Sequence, residues 1–346
     1  MTSNTNFISH ILAIREWLSS CDGRAYLDFD SLKLEIRANG KCVEFLPQYM
    51  FRRDGKIAYT PRLLPEVREF IGWRHYFNRV WPEAVDKSAF KRLCADSGLL
   101  TPKRYSQSAG VSTDVLIKRS RSSFGEGIVG PLTPGALHAS NIALTEGEYI
   151  EDFIAGDIAK IWYWNAKPVA IEILPMPSIL GDGSSTVDEL LRKRILSLKT
   201  RRPPEWEVWK AVIGYQGLSL ESVLPEGQRL MVDYRYQSGL HSAAGHYNNA
   251  LSSFDNTIVQ EQLSVASAVF WNAIPANIRL DTLYTVDAII DAGRKVWFLE
   301  MNCNPIVHVD AYPHMFDSLF EISDRAFVKF GGASRTLADR ATGSIH

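Results

Sequence analysis

The chain has 346 residues, 46% apolar and 22% charged, a globular composition; at about 150 residues per domain it predicts two to three domains. Thirty-eight Lys and Arg against 39 Asp and Glu leave a net charge of −1, which excludes the chain-wide field that drives non-specific nucleic-acid binding. No apolar run approaches the roughly 18 residues that span a bilayer, and Arg15 and Glu16 interrupt the apolar stretch near the start, so neither a membrane span nor a signal peptide is expected.

Phe7, Ile8, Ile11, Leu12, Ile14, Trp17 and Leu18 recur at helical spacing and predict a first helix. Short strands follow in "AYLDFD", "KLEIRA" and "CVEFLP", separated by turn residues. Asp86 reads as the N-cap of a second helix whose face carries Ala89, Phe90, Leu93 and Cys94, with Gly98 just past its end. The strand "DVLIK" then leads into the densest glycine-serine segment, and residues 149–175 alternate as strands. Thr186 and Glu189 have capping-box spacing at the start of another helix, which the basic "RRPP" at 201–204 ends. The tail from Gly331 is polar enough to fray. Strands mixed with helices and several hairpins predict an α/β or α+β fold without a purely parallel sheet. Cys21, Cys42, Cys94 and Cys303 show no C-x-x-C spacing, so free thiols in a reducing cytoplasm are expected.

Gly125, Gly127 and Gly130 form a literal G-x-G-x-x-G, but Pro131 and Pro134 follow at once, and no helix opens through them to face a pyrophosphate. A protein-kinase reading fails because H-R-D and D-F-G are absent. What remains is a loop hung from a strand ending in Lys118: either backbone N–H groups and a lysine that hold phosphate, or an ordinary glycine-rich hairpin with a snorkelling lysine.

A second hairpin is signalled by apolar runs flanking "DAGRK". With a two-residue loop at Gly293-Arg294, Asp287 faces Glu300, Ile289 faces Phe298, and Asn302 lies on the Glu300 face. Two carboxylates about 5 Å apart at Cβ repel, so the arrangement requires a cation between them or a proton on one. Two carboxylates and an amide are hard oxygen donors suited to Mg²⁺, with Mn²⁺ as a substitute.

A lysine at a strand end before a glycine loop, then Asp…Glu-x-Asn near the C-terminus, resembles the ATP-grasp superfamily over roughly 84–325. "DKSAFKRLCADSGLLTP" is similar to its D-K-x-x-x-K helix, "YIEDFIAG" to its hinge strand and "FLEMNCNP" to its E-h-N-x-x-P. "ILGDGSSTVDELL", "SLESVLPEGQRLMVDYRYQSGLHSAAG" and "NPIVHVDAYP" resemble stretches of the ATP-grasp domain of cyanophycin synthetase, and more distantly of D-alanine–D-alanine ligases.

The resemblance implies two α+β subdomains clamping ATP (85–148 and 149–330), after a small α/β domain (1–84) and before the tail (331–346). It implies a carboxylate–amine ligase that acts on amino acids or peptides through an acyl phosphate, releasing ADP and phosphate. No nucleic-acid or membrane partner is implied, and a homodimer is a candidate assembly. Lys118, with Lys87 or Lys91, would contact the α- and β-phosphates. The backbone of Ser122, Ser123, Phe124, Gly125 and Gly127 would close over the γ-phosphate. Glu151, with Asp152, Phe153 and Ile154, would hold adenine, and Asp287, Glu300 and Asn302 would hold the metal.

This chain departs from the pattern at several positions. The ribose-binding acid falls at Ile158, leaving Asp157 as a displaced substitute, and Leu174 and Thr285 stand where relatives carry arginines. Arg235, Arg279 and Lys160 are the candidates to neutralise developing charge. His241 and Ser242 replace part of an N-T/S-G-G run and are candidates for the acceptor site; His308 and His314 either line that pocket or are structural. Arg52, Arg53, Arg62, Arg68 and Arg74 either receive an acidic substrate or are solvated surface. Two other readings stay open: a nucleotide-binding regulator without turnover, and an enzyme that phosphorylates or carboxylates without forming an amide.

Overall fold

The computed structural model describes residues 3–53, 56–67, 69–120, 127–140, 142–198, 203–241 and 248–322. Arg68, Ser122, Ser123, Phe124, Gly125, Ser242 and the tail from Gly331 lie outside the described residues. The fold is mixed, with helices packed on sheets whose strand pairs are all antiparallel among the described residues.

Helix α1 (Ser3–Ser19) precedes a sheet of β1 (Arg24–Leu27), β2 (Leu34–Ala38), β3 (Lys41–Arg53), β4 (Lys56–Thr60) and β5 (Glu69–Arg74). Helix α2 (Lys87–Asp96) starts where the sequence signals it: the Asp86 carboxylate accepts the Ser88 N–H at 2.7 Å, and Gly98 takes a positive φ of 70° after the last turn. A second sheet has the order β6 (Arg104–Tyr105), β9 (Glu148–Asp152), β7 (Val115–Arg119), β8 (Val129–Leu132). The glycine-rich run thus leads into a strand, not a helix, as its prolines require; the short α3 (Pro134–Ala139) comes after that strand.

The third sheet positions the site. Its order is β11 (Lys167–Leu174), β10 (Asp157–Trp164), β14 (Leu283–Ile290), β15 (Val296–Asn302). One face packs under α2 and α6 (Ile258–Ala273) through Ile161, Tyr163, Val286, Phe298, Phe90 and Phe270. The other face continues into the first sheet: Trp162, Trp164 and Leu283 share a core with Trp17, Phe45, Trp73 and the helix α7 (Ala311–Leu319). Two of these tryptophans satisfy their indole N–H groups across the seam, Trp17 on Asp317 and Trp162 on the Ile306 carbonyl, while the Trp164 indole N–H is buried without a hydrogen-bond partner among the described residues. A smaller cluster joins β12 (Ser178–Leu180) and β13 (Arg229–Met231) to α4 (Val187–Leu198) and α5 (Trp206–Tyr215).

The capping box of α4 is formed: the Thr186 N–H donates to Glu189 at 2.8 Å and the Glu189 N–H to the Thr186 hydroxyl at 3.3 Å. Thr186→Ala is expected to cost about 1 kcal/mol of stability, read as a lowered urea midpoint with an unchanged m-value. The four cysteines form no disulfide. Among the described residues no helix is long and apolar enough to cross a membrane.

Candidate functional site

Strand register builds a charged row across the third sheet. Glu172 on β11 pairs with Lys160 on β10, Lys160 with Asp287 on β14, and Asp287 with Glu300 on β15. Directly opposed residues share a face, so these four ionisable side chains stand side by side. The Lys160 ammonium donates to Asp287 at 3.0 Å, and Lys87, from the first turn of α2, reaches Glu300 at 2.8 Å. The Asn302 amide lies 3.4 Å from the second Asp287 oxygen. Signs along the row therefore alternate except at the centre, where two carboxylates face one another.

The two centre carboxylates respond unequally. Burial pushes the Asp287 carboxyl up to about 6; Lys160 works against that shift and Glu300 adds to it. Burial also disfavours ionised Glu300, but the Lys87 ammonium outweighs it and holds this carboxyl below its usual range. A facing Asp–Glu pair, one member displaced toward neutrality and an amide beside it, is a donor set that a divalent cation fits. Among the described residues no group of three or more His, Cys, Asp or Glu side chains is placed to hold a metal, so the set is these two carboxylates and the amide.

Beside the row lies a second charge cluster. Leu116 on β7 pairs with Glu151 on β9, which puts Lys118, two residues along, on the face of Glu151. The α2 N-terminus docks on the end of β7 through the Lys87 N–H to the Ser120 carbonyl, and this brings Lys91 to the same carboxylate. Glu151 is fully buried and receives Lys91 and Lys118 at 2.5 Å each. Burial alone would raise the Glu151 carboxyl; the two ammoniums outweigh it and hold it low. One carboxylate cannot fully compensate two buried ammoniums, and burial pushes Lys91 down to about 8.

These contacts correct several of the expected roles. Both Glu151 oxygens are taken by lysines, so its side chain has no open edge for adenine. Lys91 is sealed behind Glu151, leaving Lys87 as the α2 lysine on the row. Asp152 accepts the hydroxyl protons of Tyr105 and Thr113, and Phe153 packs on Tyr215 and Tyr234 while its N–H donates to the Asp114 backbone carbonyl. Ile154 joins Met176, Tyr236 and Leu299 around buried Ile158, Leu174 and Ile289, an apolar patch alongside the row. Asp157 is exposed at the start of β10, opposite Ile290. Gly127 has a positive φ of 71° close to the Arg119 side chain.

Neither arginine joins the row as proposed from sequence. Arg279 donates to the carbonyls of Ile274 and Asn272 at the end of α6. Arg235 is clamped by Glu205 and Asp233, and these partners raise its pKa further despite burial. Lys160 does stand in the row. The sequence reading missed Glu172, which also accepts the Tyr236 hydroxyl at 2.5 Å and lies 4.0 Å from His308. His308 is fully buried against Trp162, and burial pushes His314 down to about 4. Of the N-terminal arginines, Arg74 is not solvated: it is fully buried between the amide oxygens of Gln48 and Asn304.

No protein-family model and no curated protein matches the chain. Solved structures to which it is similar include a bifunctional glutathione synthetase from Pasteurella multocida, at 14% identity and TM-score 0.42, over 90% of this chain and 43% of that one. The VanG D-Ala:D-Ser ligase from Enterococcus faecalis is similar at 13% identity and TM-score 0.35, over 68% of this chain and 57% of that one. A D-alanine–D-alanine ligase from Bacillus anthracis complexed with ATP is similar at 12% identity and TM-score 0.34, over 69% and 66%. The chain spans less than two thirds of the length of each.

Proposed function

We propose that the chain is an ATP-dependent carboxylate–amine ligase of the ATP-grasp kind, acting on an amino acid or peptide. The observation that carries this reading is the row Glu172–Lys160–Asp287–Glu300–Lys87, with its like-charged centre, beside an apolar patch. Facing carboxylates that repel each other are costly to keep unless they hold a cation, and an apolar surface next to lysines suits a nucleotide base with its phosphates.

In the proposed reaction a substrate carboxylate oxygen attacks the γ-phosphorus of ATP and the bond to the β-phosphate oxygen breaks, releasing ADP. The acceptor amine then attacks the carbonyl carbon of the acyl phosphate, the C–O bond to phosphate breaks, and the amine proton leaves to a base. Such chemistry asks the protein for positioning and charge cancellation more than for covalent work. Lys87 and Lys118 would neutralise phosphate oxygens, and Lys160 the charge that develops at the carbonyl. Asp287, Glu300 and Asn302 would hold Mg²⁺, or Mn²⁺ in its place, which when bound supplies further charge neutralisation at the phosphates. The segment 122–127 would exclude water from the acyl phosphate.

One observation favours the reading of a nucleotide-binding regulator: Arg235 and Arg279 are both engaged elsewhere, so neither guanidinium serves the row. ADP release measured with an amino-acid and peptide library, followed by mass spectrometry of products, separates the two. Release that requires Mg²⁺, a carboxylate and an amine together, with an amide product, is the expected result. Amine-independent release would overturn the ligase reading, and nucleotide binding with no release under any combination would favour the regulator.

A further inference from the structure

A cavity of about 230 Å³ lies between the strand β11, the segment after it, α4 and the loop before residue 242. Arg194, Arg229, Ser178 and His241 supply its polar wall, Leu174 and Met176 part of its apolar one, and no Asp or Glu is among its described lining residues. Arg194 spends one donor on the Leu240 carbonyl at 3.2 Å, and its Nε is buried without a hydrogen-bond partner. Arg229 spends one on the Ser178 hydroxyl at 2.8 Å. A guanidinium has five N–H donors, and among the described residues Arg194 and Arg229 both use neutral partners only, so the described lining presents spare donors and positive charge with no acidic partner. That is the chemistry of an anion site, and the planar fork of arginine matches a carboxylate.

The cavity also joins the row. Leu174 stands two residues from Glu172 on β11, about 7 Å along the strand. Leu174 and Met176 belong both to the cavity wall and to the apolar patch beside Lys160 and Asp287. A volume below the usual 300–1,000 Å³ or so of a small-molecule pocket takes an amino-acid-sized group, not a whole nucleotide. We propose that this cavity binds the distal carboxylate of an acidic substrate, holding a dicarboxylate or acidic amino-acid residue so that its reacting end lies over the row. The substrate role rests on the ligase reading above; the anion site does not.

Glutarate tests the site on the full chain without nucleotide, by calorimetry, against neutral glutaramide and inorganic phosphate. Saturable glutarate binding is expected, with glutaramide and phosphate about tenfold weaker or more, the loss that follows when a charged hydrogen bond is removed or the apolar spacer is absent. Arg229→Gln, at an exposed position, and Arg194→Gln should each weaken glutarate by about ten- to a hundredfold, and Arg229→Lys should restore part of the loss. Absence of saturable glutarate binding, phosphate or glutaramide binding as tightly as glutarate, or Arg229→Gln binding like the parent protein would each overturn the proposal. Mg-ADP binding is read separately. Glutarate bound by a protein that binds no Mg-ADP would overturn the ligase reading and leave the anion site standing.

Discussion

Asp287→Asn and Glu300→Gln are each expected to lower ADP release by about 10²–10³-fold while leaving the fold intact. The row holds three carboxylates against two ammoniums, so turning Asp287 into an amide relieves the central repulsion, whereas Glu300→Gln also takes from Lys87 the carboxylate it reaches at 2.8 Å. Asp287 is the gentler site, because burial already disfavours its ionised form and pushes its carboxyl up to about 6. Lys160 keeps Glu172 opposite it on β11 when Asp287 becomes neutral. The melting temperature of Asp287→Asn should therefore stay within about 3 °C of the parent's, a shift of roughly 1 kcal/mol or less. A metal role makes a second demand: MgCl₂ should raise the melting temperature of the parent and lose that effect in both variants, by the mass-action stabilisation of any ligand that binds only the folded state. Undiminished turnover in either variant, or a Mg²⁺ shift that survives Asp287→Asn, would contradict the assignment. A collapse in stability would instead mark Asp287 as a structural ion pair of Lys160.

The expected facing of Asp287 and Glu300 holds, but the two-residue loop at Gly293-Arg294 from which it was read does not, and Ile289 faces Trp297 instead of Phe298. The turn spans 291–295, with Arg294 at a φ of 64° and the Asp291 carboxylate accepting the Lys295 N–H, so Ile290 faces Val296 and Ala288 faces Phe298. A bulge at Leu299 then restores the Asp287–Glu300 pairing. A two-residue loop without a bulge reaches the same pair and misplaces every pair nearer the turn. The neighbouring hairpin shows the cost of the same blindness. A bulge between Trp162 and Tyr163 shifts the register so that Lys160 meets Glu172; unbroken pairing from Trp164–Lys167 would have set Lys160 against Ile171. Glu172 was invisible to sequence for that reason. Local signals did transfer: the Asp86 cap, the Thr186–Glu189 box and the strand that carries Lys118, which runs one residue further, to Arg119. Long-range partners did not. Arg74 meets Asn304 and Trp17 meets Asp317, and nothing local distinguishes a solvated arginine from one that crosses to another sheet. Glu151 illustrates the same limit, since its two lysines arrive from a helix and a strand far apart in the chain.

That cluster yields the second large effect, this time on stability. Glu151→Gln is expected to destabilise the protein by about 3–5 kcal/mol, because it strands two buried ammoniums beside a neutral amide. The melting temperature should fall by roughly 6–15 °C. Lys91→Met should cost far less. It removes the surplus ammonium, leaves a one-to-one Glu151–Lys118 pair at 2.5 Å and replaces the buried stem with an apolar one of similar length. The two variants also differ in pH dependence. Burial holds Lys91 down at about 8 in the folded protein, against the 10.5 of an ordinary lysine. Between those values the unfolded chain binds more protons than the folded one, so stability contributed by this group rises with pH and is lowest below about 8. The parent should therefore gain stability relative to Lys91→Met as pH rises from about 8 to 10 in urea titrations, and the difference should be flat from pH 6 to 7.5. Glu151, held low in the folded state, acts at the other end: its contribution is present above the unfolded carboxyl range and lost as pH falls through the folded value. If Glu151→Gln proved as stable as the parent, or the Lys91 difference showed no slope above pH 8, the buried triad would not carry the charges assigned to it. Lys118 would then lose the partner that fixes its ammonium beside the row.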